Sequence, residues 1–173
     1  MTTWMWILLG VIICQRLVEL IIAKRNEQWM KDRGGIEKGE KHYKWFVILH
    51  IMFFLSIVFE VQTQTDSDRQ LNYFLFSIFL AAQLGRVWCI QTLGKFWNTK
   101  IIVLPGVSII KKGPYKYIKH PNYLIVLVEL FVIPLIYGAY ITAVLFPLLH
   151  LGLLRIRVPR EEKALTKATL PKV

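Results

Sequence analysis

Long apolar blocks alternate with strongly basic loops along this chain, and that alternation constrains the fold more than any single motif. Blocks at about Thr3–Ala23, Trp45–Val61, Tyr73–Leu93, Tyr123–Ile136 and Ala139–Leu154 are near the length needed to cross a hydrocarbon layer. They predict an all-α polytopic membrane protein of about five transmembrane helices, forming one integral membrane domain over residues 1–173. The chain is 55% hydrophobic, yet it carries 22 Lys+Arg against 11 Asp+Glu. A nucleic-acid binder would not interleave its positive charge with membrane-length apolar runs, so the net charge of +11 is assigned to topology and to attraction for anionic lipid.

The last two blocks are short, and Tyr137-Gly138 after Pro134 marks the turn of a tight helical hairpin. A helix over Tyr123–Ile136 rises only about 21 Å, so this hairpin is expected to tilt, thin the bilayer or stop short of the far face. No basic n-region or small-residue cleavage site precedes the first block, which predicts a retained span. Cys14 and Cys89 both fall in apolar blocks and give no disulfide framework.

Orientation follows from the loops. The segments 24–44 and 94–120 and the tail after Leu154 are rich in Lys and Arg, whereas the second loop has only Arg69. Basic loops remain cytoplasmic, which places the N-terminus outside and the C-terminus inside a cell membrane. Arg16, Glu19, His50, Arg86, Glu129 and His150 then lie at one level, roughly 6–11 Å inside the cytoplasmic boundary. Ionisable groups at that depth either pair, as Glu19 with Arg86, or line a wet cavity, and both readings stay open.

The third loop carries two β-branched runs, Lys100–Val103 and Val107–Ile110, around Leu104-Pro105-Gly106. A short ribbon closed by a Pro-Gly turn is expected there, as part of a cytoplasmic loop. His120 precedes Pro121 and is pushed toward extended backbone, while Pro121 suits the first turn of the next helix. Tyrosines and lysines here fit an interfacial belt, or a polar pocket. In the tail, Pro159 crowds the Arg155 carbonyl, which predicts a kink or restart with Glu161 and Glu162 in the new first turn.

In this order, Gly113-Pro114-Tyr115, Lys119-His120-Pro121-Asn122-Tyr123, an apolar hairpin and Arg157…Glu161-Glu162…Leu165 resemble the isoprenylcysteine carboxyl methyltransferase family of membrane enzymes. The resemblance spans about residues 85–165, the implied methyltransferase core. Residues 1–84 supply the preceding spans and the first cytoplasmic loop. The layout and the loop running from Arg33 to Tyr43 look like the bacterial branch, some members of which are associated with O-methylation of alkylpyrone polyketides.

The resemblance implies S-adenosylmethionine as methyl donor, with no metal. It carries cofactor contacts onto Lys100, Val107, Ser108, Ile109, Ile110, Tyr115, His120, Pro121, Asn122, Tyr123 and Glu161. Arg157 corresponds to an arginine beside the methyl-accepting group, making Arg157 and Glu161 the implied catalytic pair. The acceptor is expected to be a lipophilic small molecule entering from the bilayer, either a prenylcysteine-like carboxylate or an alkylpyrone-type enol. Three departures stand out: Lys119 replaces the usual Arg, Leu124-Ile125 replaces a Gly, and the tail lacks the family's Phe-Gly stretch. A sterol-reductase-like oxidoreductase using NADPH and a non-enzymatic small-molecule carrier are the alternatives.

Overall fold

The computed structural model describes residues 1–38, 40–64, 70–108 and 110–169. Five α-helices dominate these: α1 (Thr3–Lys31), α2 (Glu40–Thr63), α3 (Tyr73–Leu93), α4 (Pro121–Tyr137) and α5 (Tyr140–Thr169). Four of the five are long and apolar enough to cross a membrane, and α4 is the shorter one. The protein is an all-α polytopic membrane fold with one small ribbon. Large apolar side chains remain exposed on the outward faces, such as Ile7, Val11, Phe59, Leu84 and Ile141. That pattern suits a lipid surround, where no hydrophobic drive favours their burial.

The two-sided apolar helices meet inward in one core. Met5, Leu9 and Ile12 of α1 pack with Phe53 and Ile57 of α2, Phe79 of α3, Ile133 and Tyr137 of α4, and Phe146 of α5. α4 lies centrally, packed on both α3 and α5, and α5 also packs on α2. The Tyr137 hydroxyl donates to the Met5 carbonyl at 2.9 Å, pinning α1 to the turn of the hairpin.

That turn is built as expected. Gly138 takes φ +71°, a left-handed conformation natural to glycine, and Ala139 N–H returns to the Pro134 carbonyl at 2.8 Å. Glu60 of α2 then caps α5. Its carboxylate accepts from Ile141 N–H at 2.8 Å and from the N–H and hydroxyl of Thr142 at 2.9 and 2.7 Å. These bonds satisfy orphan donors of the first turn and place an acid at the positive helix end.

Three sequence expectations need correction. α1 continues beyond Ala23 to Lys31, because Asn26 donates to the Gly94 and Trp97 carbonyls (3.1 and 2.7 Å) and anchors the extension. The ribbon exists, but β2 (Ile101–Val103) pairs antiparallel with β1 (Ile36–Lys38) from the first loop, in the register Ile36↔Val103 and Lys38↔Ile101. Among the described residues of 107–110, none forms a strand. The Pro-Gly turn is nonetheless made, with Gly106 at φ +79° and Val107 N–H bonded to Leu104 O at 3.3 Å. Charge supports the actual pairing: Lys31 and Lys100 lie 2.7 and 3.1 Å from opposite oxygens of Glu37.

The third correction concerns Pro159. α5 runs unbroken through it, so Glu161 and Glu162 lie in a helix interior rather than a new first turn. Arg155 and Pro159 are both exposed, so water can solvate the carbonyl that loses its ladder partner.

Candidate active site

A cavity of about 360 Å³ lies between α1 and α2, lined also by residues of α3, α4, α5 and the third loop. Its floor is a charged layer. Arg16 binds Glu19 and Glu129, each at 2.7 Å, and Arg86 meets Glu19 at 3.2 Å and Glu129 through Nε at 3.1 Å, with a second, closer contact from Nη2. Gln83 donates to Glu129 at 2.7 Å, and Gln15 donates to Glu19 at 3.0 Å. Two cations and two anions balance, as groups this deep must. The pairing and the cavity lining anticipated from the sequence are both present.

At the other end α4 and α5 bring a polar cluster together. Pro121 sets the first turn of α4, so Asn122 and Tyr123 are presented at its start. Arg157, 8% exposed, donates from Nε to the Tyr123 hydroxyl at 2.6 Å and from Nη2 to the Thr99 carbonyl at 2.5 Å. The Tyr123 hydroxyl in turn donates to Glu161. His120 stacks on Tyr123 with ring centroids 5.4 Å apart, and its nitrogens lie 3.8 Å from Glu161 and 3.4 Å from Glu162. Nη1 of Arg157 has no protein partner among the described residues, which leaves half of its planar fork available.

Two groups of the adjoining loop complete the electrostatics. Burial pushes the Tyr115 phenol well above its usual range, with the Cys89 thiol and Glu161 adding to the effect. For Lys100, burial opposes the charge, but Glu27 and Glu37 outweigh it and raise its pKa, keeping the ammonium charged.

Of the residues implicated by the sequence, Lys100, Tyr115, His120, Asn122, Tyr123, Arg157 and Glu161 line this one cavity. Val107, Ser108, Ile110 and Pro121 do not line it, and Ile109 lies outside the described residues. The sequence reasoning missed Tyr43, Phe46, Trp97, Asn98 and Thr99, which also form the wall. The break at Gly94 followed by Trp97-Asn98-Thr99 was the available signal for the last three.

Between floor and cluster the wall is apolar, with Ile13, Leu17 and Leu20 of α1 facing Val47, Ile51 and Phe54 of α2. Leu17 and Ile51 line the cavity and are nonetheless each 54% exposed, so this side of the cavity is open rather than sealed. Three wall residues hold buried polar atoms without a hydrogen-bond partner among the described residues: Trp97 Nε1, Asn122 Oδ1 and both nitrogens of His150. Buried groups left unpaired by the protein are where a ligand supplies the partner.

The fold and site define a polytopic helical membrane protein with a cavity that joins a polar cluster to an apolar wall. Residues 74–167 match the model of the isoprenylcysteine carboxyl methyltransferase family. The chain is 44% identical over 160 residues to YpbQ, an uncharacterised protein of Bacillus subtilis (strain 168), covering 92% of this chain and 95% of that one. It is 28% identical over 156 residues to an uncharacterised protein of Haemophilus influenzae, covering 90% and 91%. No solved structure matches it. The chain belongs to the isoprenylcysteine carboxyl methyltransferase family, which places it among membrane methyltransferases at the level of the family.

Proposed function

We propose that this protein transfers a methyl group from S-adenosylmethionine to an oxygen of a lipophilic acceptor, at the cytoplasmic face of the cell membrane. The observation that carries the reading is that the Arg157–Tyr123–Glu161 chain and an apolar wall line the same cavity. The donor's polar groups fit the mouth: Glu161 and Tyr115 offer a carboxylate and a phenol, and Trp97 Nε1 and Asn122 Oδ1 are a buried donor and acceptor without partners among the described residues. Lys100, His120 and Tyr123 complete that half, while Val107, Ser108, Ile109 and Ile110 stand as loop contacts on the strength of the resemblance. Bound there, the donor supplies an electrophilic methyl on a sulfonium.

The chain's own work is alignment and charge management. Arg157 orients the acceptor oxygen with the part of its fork not spent on Tyr123 and Thr99. The acceptor's tail lies along Leu17, Leu20, Val47 and Ile51, reached sideways from the bilayer. Either a prenylcysteine-like carboxylate or an alkylpyrone-type enol, as in the bacterial branch, satisfies that geometry. With the N-terminus outside, the polar mouth faces the cytoplasm, where a water-soluble donor arrives. A nicotinamide dinucleotide finds less support, since Arg16 and Arg86 in the wall are already committed to Glu19 and Glu129.

The test is titration of purified protein with S-adenosylhomocysteine, followed by methyl transfer to long-chain carboxylic and phenolic acceptors. Saturable binding with transfer is expected. Absence of both would overturn the reading.

A further inference from the structure

His150 is 1% exposed and belongs to the cavity wall, but the roles assigned above make no use of it. It lies two helical turns before Arg157 on α5, so both side chains leave the same face of that helix. Helical side chains lean toward the N-terminal end, which brings the guanidinium back toward the imidazole. Phe46 is their shared wall: Arg157 Cζ lies 4.9 Å from its ring centroid, and the His150 ring meets it edge-on at 5.9 Å. His50, on α2 beside them, donates Nδ1–H to the Phe46 carbonyl at 2.7 Å, because a carbonyl can only accept. The Tyr123 carbonyl and His50 are near His150, yet nothing among the described residues completes a hydrogen bond to either of its ring nitrogens. Without a counter-ion in contact, a buried imidazole is neutral and keeps one lone pair and one N–H.

We propose that His150 is a catalytic residue of the acceptor half of the site, receiving the proton of a hydroxylic acceptor as it is methylated. The proposal rests on the methyltransferase reading and deepens it. An acceptor hydroxyl lying against Phe46 meets Arg157 on one side and His150 on the other. The acceptor oxygen's electron pair forms the new C–O bond. The S–C bond breaks with its pair left on sulfur, cancelling the sulfonium charge, and the hydroxyl proton passes to the imidazole lone pair. A carboxylate acceptor has no proton to lose and draws nothing from this base.

The test compares wild type with His150→Phe and His150→Gln, using a lipophilic phenol and a carboxylic acid of equal chain length. Donor affinity is titrated with S-adenosylhomocysteine, and phenol affinity is measured without donor. Both variants should keep donor affinity and lose about a hundredfold or more in phenol turnover. Any carboxylate turnover seen in wild type should fall far less than phenol turnover in both, by no more than the loss of one hydrogen bond in His150→Phe. Glutamine hydrogen-bonds but takes no proton at neutral pH, so it should keep phenol affinity, whereas phenylalanine should weaken it by about two- to tenfold. Equal losses on both acceptors, undiminished phenol turnover, or a wild type that methylates only the carboxylate would each overturn the role of His150 and leave the methyltransferase reading standing. A wild type that neither binds the donor analogue nor transfers methyl overturns both. A variant that a thermal melt shows unfolded is set aside, and the other carries the comparison.

Discussion

The hydroxyl of Tyr123 accepts from Arg157 Nε at 2.6 Å while it donates to Glu161. Arg157 and Glu161, one turn apart on α5, are thus held by a side chain of α4 rather than by each other. The cation proposed for the acceptor side and the acid proposed for the donor side are joined through one phenol hydroxyl.

Arg157→Lys should lower turnover about ten- to a hundredfold while donor affinity changes little. Lysine keeps the charge but cannot bond Tyr123 and Thr99 and still reach an acceptor, and one charge-assisted bond is worth about 1.5–3 kcal/mol. Glu161→Gln should chiefly weaken donor binding. Methyl-transfer kinetics with donor titration on both variants checks this. Should the two effects appear the other way round, the roles are reversed.

Tyr123→Phe removes the hydroxyl between them without changing the ring that stacks on His120. Two bonds to charged groups are lost, and turnover should fall by about tenfold from the Arg157 bond alone, at the low end of its range, with the Glu161 bond bearing on donor affinity. Fold and melting temperature should change little. Kinetics like those of wild type would show that Thr99 alone holds Arg157 in place.

The charged floor predicts a stability effect. Glu129→Gln leaves Arg16 and Arg86 sharing Glu19 alone, and an uncompensated buried charge costs about 3–5 kcal/mol. Combining Arg86→Met with Glu129→Leu restores balance, because Arg16 keeps Glu19. The double variant should therefore melt higher than Glu129→Gln in detergent. Additive losses would show that the four residues do not act as a network.

Orientation is testable in intact cells carrying Cys14→Ser, since Cys14 is exposed. Gln70→Cys should react with an impermeant thiol reagent and Lys38→Cys should not. The opposite pattern would invert the topology and move the polar mouth outside.

The spans were legible because apolar length is a local property, and α3 begins and ends where its block does, at Tyr73 and Leu93. The Glu19–Arg86 pair was legible because depth along each helix follows from rise per residue alone. The ribbon partner was not, since Ile36 and Val103 meet across two intervening helices and nothing local to either segment records that pairing. Val107–Ile110 offered a nearer, equally β-branched candidate. Phe46 and Tyr43 were overlooked for another reason: aromatics at a span end are expected at any interface, so their position carries no signal of a cavity behind them.

The pairing of β1 with β2 bears on how the chain is inserted. β1 leaves the ribosome before α2 and α3, and β2 only after both, so the ribbon can close only if the two intervening helices have crossed and returned. Were either helix to stall on one side, Glu37 would be stranded across the bilayer from Lys100, and their 3.1 Å contact could not form. Three residue pairs of backbone and one ion pair therefore act as a latch that engages only in a correctly threaded chain. The same latch makes residues 74–167 incomplete by themselves, because the strand that holds Lys100 beside the cavity comes from the first loop.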